Sequence, residues 1–185
     1  MESNYLANVK LQFEYYKSVG DKTFDQISEN ELFWQYNANS NSIAIIVNHI
    51  HGNMKSRWTD FLTSDGEKEW RKRDEEFEDI IKTRGELLKK WEEGWQILFS
   101  AIDSINPDNF GTTIYIRNQQ HTVVEAFNRQ LAHYAYHIGQ IVYVAKMTGA
   151  ENWQSLTIPK GKSKEFNSSK ISKGKHDGHF SDDLK

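Results

Sequence analysis

Apolar side chains recur at helical spacing over four long stretches of the chain. Two of these stretches open on a Thr-x-x-Glu sequence, the capping-box pattern that marks the start of a helix. The chain has only two prolines, Pro107 and Pro159, so little interrupts helix formation before the C-terminal segment. Four long amphipathic helices with short connections predict an all-α four-helix bundle. The predicted helices cover about residues 4–27, 42–62, 83–105 and 122–148.

Shorter signals lie between these helices. Ser28-x-x-Glu31 is another capping box and predicts a short helical turn. The stretch 63–77 contains a turn signal and then a dense run of charges, which predicts an ordered loop with one short helix. Residues 112–117 alternate β-branched and aromatic side chains, as in a short strand or hairpin arm.

The composition changes at Pro159. The segment 159–185 has seven Lys, four acidic residues and only four sizeable apolar residues, with Ser, Gly and Asn filling much of the rest. Such a segment buries too little apolar surface to offset the entropy lost on ordering. We therefore expect one domain over 1–158 and a disordered, flexible polar tail over 159–185.

Composition and charge exclude several kinds of protein. The net charge of −3 provides no basic face for nucleic acid, and no apolar run is long enough to span a membrane. The absence of cysteine excludes disulfides, thiolate metal sites and a cysteine nucleophile. With no secretory signal at the N-terminus, a cytoplasmic location is expected.

A polar stripe crosses the apolar fourth helix. Gln130, His133, His137 and Gln140 follow each other at intervals of three, four and three residues, so all four lie on one face. A buried polar face needs partners. His133 and His137 are spaced to converge on one metal ion, although two histidines bonded within the core would give the same pattern.

The second long helix offers a third histidine. His49 follows a buried apolar run, with Asn53 one turn later, and facing helices commonly build a metal site in the core of a bundle. Three histidines with one open position are typical of catalytic rather than structural sites. His51 points about 200° away from His49, which predicts a surface or edge position.

The same residues resemble a known superfamily. The pattern Ser42-Ile43-x-x-Ile46-x-x-His49, paired with His133-x-x-x-His137, resembles the DinB/YfiT-like metalloenzymes over about residues 3–158. The resemblance is closest to a bacterial subgroup that carries GNMKSRWTDFL, here residues 52–62, followed by DGEK at residues 65–68.

This resemblance implies an up-and-down four-helix bundle that is usually a homodimer and holds a divalent ion, Zn, Ni, Fe or Mn, through His49, His133 and His137. Some relatives transfer low-molecular-weight thiols such as bacillithiol. It therefore implies a metal-dependent enzyme acting on a small molecule, in the first place a thiol S-transferase. Because the chain has no cysteine, the thiol would be a cosubstrate. A metal-dependent hydrolase and a non-catalytic metal- or ligand-binding protein are the alternatives.

Further residues are candidates for the substrate pocket, while no residue stands out as a general base. Asn53 and Arg57 lie one and two turns past His49, and Gln130, Tyr134 and Gln140 accompany the histidines of the fourth helix. The charged stretch 53–77 has two interpretations. Its arginines could bind an anionic substrate at the mouth of the site, or the stretch could be a solvated loop anchored by aromatic residues.

Overall fold

The computed structural model of the chain describes residues 2–149 and 153–182. Most of the described chain is helical, as predicted. Two short strands form a small β-hairpin. The elements are α1 (Glu2–Phe24), α2 (Glu29–Leu32), α3 (Ile43–Trp58), a 3₁₀ helix (Asp74–Phe77), α4 (Arg84–Asp103), β1 (Ile114–Ile116), β2 (Gln119–His121), α5 (Val123–Thr148) and α6 (Ser163–Ser172).

The capping boxes place the starts of α4 and α5 where the sequence predicts them. Thr122 Oγ1 accepts a hydrogen bond from the backbone N–H of Glu125 at 3.1 Å, and Glu125 Oε2 accepts from the N–H of Thr122 at 2.7 Å. Helix α3 ends four residues earlier than predicted. Thr59 is extended and Asp60 adopts a φ of 48°, so the backbone leaves the helical region there.

The long helices bury a shared aromatic core. Helix α3 packs against α4 and α5, and α1 packs against α5 and α4. At the centre lies Phe13, whose ring is 6.0–6.5 Å from the rings of Trp95, Phe127 and Tyr134. Edge and tilted contacts of this kind suit the charge distribution of aromatic rings. Trp58 of α3 stacks on Phe127 of α5 at 4.6 Å and joins α3 to this core, and α3 and α5 carry the polar residues described below.

The β-hairpin has a strained turn. Strands β1 and β2 are antiparallel, and Arg117 and Asn118 form the turn with φ of 56° and 60°, a conformation that glycine or asparagine usually supplies. The Asp65 carboxylate accepts the backbone N–H groups of both turn residues, at 2.8 and 2.7 Å. Asp65 therefore holds Arg117 in this unusual conformation.

The segment predicted as a flexible tail contains structure. Helix α6 lies within it, and the ring of Phe180 lies 5.1 Å from that of Tyr15. The expectation of a wholly disordered tail is corrected to this extent, because apolar side chains in it do find partners. Residues 1 and 150–152 of the predicted domain and 183–185 of the predicted tail lie outside the described residues, and the domain boundary stays a prediction. Within the described residues, no helix is both long and apolar enough to cross a membrane.

Candidate metal centre

Three histidines from two helices meet inside the molecule. Helix α3 contributes His49, and α5 contributes His133 and His137 from successive turns. His133 Nε2 lies 3.3 Å from His49 Nε2 and 3.1 Å from His137 Nε2. One ring nitrogen from each residue lies within 4.8 Å of the other two. The sequence prediction that these three residues converge is confirmed, and the cluster could hold a metal ion.

The spacing of the ring nitrogens fits an ion. Two nitrogen ligands about 2.0–2.1 Å from a tetrahedral ion lie about 3.3–3.4 Å apart. The two separations at His133 are close to that value. The rings are also steeply inclined to each other, with interplanar angles of 67–86°, so they approach a shared point from different directions.

Hydrogen bonds at the far nitrogens set the protonation of two of the rings. His49 Nδ1 donates to Glu76 Oε2 at 2.9 Å, since an ionised carboxylate can only accept. His137 Nδ1 donates to the amide oxygen of Gln140 at 2.8 Å. In both residues Nε2 is therefore the ring nitrogen that faces the cluster, with Nδ1 bonded to an outer partner as in metal-binding histidines.

His133 has no complete set of hydrogen bonds. Its Nδ1 is buried without a partner among the described residues. If Nδ1 carries the proton, that N–H has no acceptor and three lone pairs face each other. If Nε2 carries it, the buried Nδ1 has no donor. Burial, and then His137 and His49, lower the pKa of His133 to about 3, so adding a proton does not solve the problem at neutral pH.

A buried ion pair supports the cluster from behind. Glu76 is 7% exposed and accepts hydrogen bonds from Arg71 Nε at 2.7 Å and Arg71 Nη2 at 2.8 Å, in addition to His49. Burial would raise the pKa of Glu76, but hydrogen bonds from Arg71 and His49 outweigh it and hold the pKa below its usual value. The ring of Phe77 stacks on His49 at 4.6 Å. These contacts fix the orientation of His49.

Sequence reasoning missed Glu76. It lies in an acidic run whose other members nearby, Asp74 and Glu75, are exposed, so composition does not distinguish it. One residue of α3 gives a weak signal that a side chain such as that of Glu76 packs there. Gly52 follows His49 by one turn, and a Cβ at that position would lie 2.5 Å from Glu76 Oε1. The glycine thus makes room for the carboxylate, although the sequence does not say which side chain needs the room.

The histidine cluster opens into a cavity of about 350 Å³ with a strongly basic wall. None of its described lining residues is acidic. Phe77 and Tyr136 form part of the wall. The five arginines that line the cavity are Arg57, Arg71, Arg73, Arg117 and Arg129.

The cavity includes three of the five residues predicted for the substrate pocket, namely Asn53, Arg57 and Gln130. Tyr134 does not line it. Its side chain is fully buried, and its hydroxyl donates to Asn53 Oδ1 at 3.0 Å, which is a packing role. Gln140 also lies outside the wall and instead orients His137. Both side chains therefore have partners within the protein, and their contact with a substrate stays a prediction.

The charged stretch 53–77 contributes some of its residues to the cavity and others to different contacts. Arg71 and Arg73 do line the cavity, whereas Asp65 supports the hairpin turn and Asp74 is exposed.

His51 is only 8% exposed and its Nε2 lies 3.3 Å from Glu93 Oε2, so the prediction of a surface position is wrong. The close packing of α3 against α4 buries it, away from the other three histidines.

Comparison with known proteins identifies a family. The family model "Protein of unknown function (DUF1572)" matches residues 1–162, most of the chain, and the chain belongs to this family. No curated protein and no solved structure matches the chain.

Proposed function

We propose that this DUF1572 protein is a metal-dependent enzyme whose divalent ion is held by His49, His133 and His137. The convergence of three imidazoles carries the proposal, because the far nitrogens of His49 and His137 are bonded and their Nε2 atoms both approach Nε2 of His133. An ion would accept all three lone pairs at once. Three protein ligands beside a cavity is the arrangement of catalytic rather than structural sites.

The fold proposed for this site is the up-and-down four-helix bundle of the DinB/YfiT-like superfamily. Each of the four long helices contacts two others, since α3 meets α4 and α5 while α1 meets α5 and α4. That pattern supports a bundle in which α3 and α5 are adjacent helices and α3 lies opposite α1. The histidine positions on these two helices are those that the resemblance implies.

The reaction proposed is transfer of a low-molecular-weight thiol, such as bacillithiol, to an electrophilic small molecule. A divalent ion at such a site lowers the pKa of a coordinated thiol or water and makes it nucleophilic. The chain has no cysteine, so the thiol would come from solution. Of this chain's own residues, Glu76 and Gln140 hold the imidazoles in place, and the arginine wall would orient an anionic reactant.

We also propose that two copies of the chain form a homodimer. Tyr136, Tyr143 and Met147 lie along α5 with exposed fractions of 63%, 67% and 48%. Large apolar side chains in one row are often covered by a partner. Light scattering at micromolar concentration would show a dimer, and a monomer would contradict this part of the proposal.

Turnover of a panel of electrophiles tests the reaction. The protein purified from its native host would be incubated with alkyl halides and epoxides, with and without bacillithiol, cysteine or coenzyme A. We expect thiol-dependent turnover by the wild type and loss of it in His133→Ala. Hydrolysis of ester or amide substrates without thiol would instead identify a hydrolase. Metal binding without any turnover would leave a metal-binding protein and contradict the enzymatic proposal.

A further inference from the structure

Two rows of polar residues face the cavity, and each has a basic end. On α3, His49 is followed at four-residue intervals by Asn53 and Arg57, and on α5, Arg129 precedes His133 by four residues. Residues four apart share a helix face. All of them line the cavity together. The histidines therefore lie at one end of the cavity, and Arg57 and Arg129 lie at the other.

Arg57 is a buried cation without a partner. It is 3% exposed, and its Nε and Nη1 are buried with no hydrogen-bond acceptor among the described residues. No carboxylate of the described chain lies within ion-pair distance of Arg57 or Arg129, whereas Arg71 is paired with Glu76 and Glu67, and Arg117 with Glu67. Burying an unpaired charge is costly, so proteins rarely retain one without a use.

The surroundings of Arg57 hold it in this unfavourable position. Its guanidinium lies over Gly66, where a Cβ would come within 2.6 Å of Nη1. Ser56 Oγ donates to the Gly66 carbonyl at 2.9 Å, and the Gly66 N–H donates to the carbonyl of Tyr115 at 2.8 Å. The backbone under the arginine is therefore fixed by hydrogen bonds. Burial and the neighbouring Arg129 lower the pKa of Arg57 to about 10, which leaves it charged at neutral pH.

We propose that Arg57 and Arg129 form an oxyanion subsite that binds a carboxylate or phosphate group of the substrate. The inference rests on the proposed function for the place of the chemistry and adds the class of substrate. Arg57 lies eight residues from His49, and Arg129 lies four from His133, which is about 12 Å and about 6 Å along the helix axes. The substrate would therefore be a small anion with its charged group at the arginine end of the cavity and its reacting atom at the histidine end.

Anion titration of the metal-free protein tests the subsite. Inorganic phosphate and acetate would be titrated separately by calorimetry at constant ionic strength set with chloride, against wild type, Arg57→Met, Arg129→Gln and Lys146→Gln. Lys146 is an exposed cation on α5 outside the cavity, so its variant is the matched control. The anion that saturates at the lower concentration identifies the phosphate or carboxylate as the preferred group.

We expect saturable binding to wild type and Lys146→Gln and at least about tenfold weaker binding to Arg57→Met and Arg129→Gln. The thermal midpoint of Arg57→Met in chloride should equal or exceed that of wild type, because an unpaired buried charge is removed. If Arg57→Met does not fold, Gly66→Ala gives the same test, since it displaces the guanidinium and keeps its charge. Equal anion affinity of wild type and these variants, or no saturable binding to wild type, would overturn the subsite.

Metal binding measured on the same variants and on His137→Ala separates this inference from the proposed function. Loss of anion binding in Arg57→Met with unchanged metal content supports the subsite. Failed anion binding with histidine-dependent metal binding overturns the subsite alone. Anion binding without metal binding overturns the proposed function and leaves the subsite.

Discussion

Helices α3 and α5 build two polar clusters in the interior, and the two differ in how completely they are bonded. In the first, Trp58 Nε1 and Gln130 Nε2 donate to the Tyr134 hydroxyl, which in turn donates to Asn53 Oδ1, at 3.0–3.1 Å. Gln130 also donates to Asn53 Oδ1 at 2.6 Å. We call these four residues the amide network.

The second cluster lies along the cavity, one turn to either side of Asn53 on α3, and remains incomplete. In this imidazole–arginine cluster, made of His49, His133, His137 and Arg57, a ring nitrogen of His133 and two guanidinium nitrogens of Arg57 have no partner among the described residues. Interior polar groups are almost always bonded. The contrast shows that the same two helices can satisfy such groups, and the incomplete cluster contains the three histidines that could hold a metal ion.

Breaking the ion pair behind His49 has the largest expected effect. Arg71→Met leaves Glu76 as a buried carboxylate without its cation, and removal of one partner from such a pair costs about 3–5 kcal/mol. Chemical denaturation of the metal-free protein would measure the loss. Because the pKa of Glu76 is depressed in the folded state, the pair contributes above the pKa of an unfolded glutamate, about 4.3. The difference between the proteins should shrink as the pH falls below that value. An unchanged difference would contradict the assignment.

Neutralising the carboxylate should weaken metal binding. Glu76→Gln keeps the shape of the side chain but removes the charge that holds His49 Nδ1, and loss of such an outer partner typically lowers metal affinity about 10–100-fold. Competition with a chelator of known affinity measures the change. Glu75→Gln is the matched control, since Glu75 is the exposed neighbour. Equal losses in both variants would show that only net charge matters.

The amide network should respond in stability and not in metal binding. Tyr134→Phe removes the hydroxyl that joins Asn53, Gln130 and Trp58, and leaving buried polar groups unpaired costs about 1–3 kcal/mol. Denaturation measures the cost, and the metal content per folded chain should equal that of wild type. A variant that loses its metal while remaining fully stable would show that the two clusters are not separate.

The smallest effect is expected at Gln140. Gln140→Ala removes the acceptor of His137 Nδ1, but the side chain is only half buried, so water can replace it. The metal affinity should fall by less than about tenfold. Chelator competition should therefore rank Gln140→Ala between wild type and Glu76→Gln. A larger loss of metal affinity in Gln140→Ala than in Glu76→Gln would show that Gln140 contributes more to metal binding than Glu76 does.

The long helices and the three histidines could be predicted because their signals repeat. Apolar spacing and capping boxes give α4 and α5 almost to the residue, and a polar stripe on an otherwise apolar helix identifies His133 and His137. Single residues whose burial depends on contacts with residues distant in sequence could not be predicted. Glu76 is buried only because Arg71 and His49 reach it, and its acidic neighbours in sequence are exposed.

Contacts with distant residues also decide which of the predicted pocket residues line the cavity. Tyr134 shares the polar region of α5 with the histidines, but its hydroxyl is bonded to Trp58 and Asn53 on α3 and the residue does not line the cavity. In the tail, Phe180 packs on Tyr15, a partner more than 160 residues away in sequence. Composition describes how a segment behaves alone and does not include partners of this kind.

Metal content is the measurement that tests the central claim most directly. Wild type, His137→Ala and His176→Ala would be purified from the native host and analysed by elemental mass spectrometry, with His176 as an exposed histidine outside the cluster. We expect close to one divalent ion per chain in wild type and His176→Ala, and almost none in His137→Ala. Equal metal content in His137→Ala and wild type would contradict the three-histidine centre.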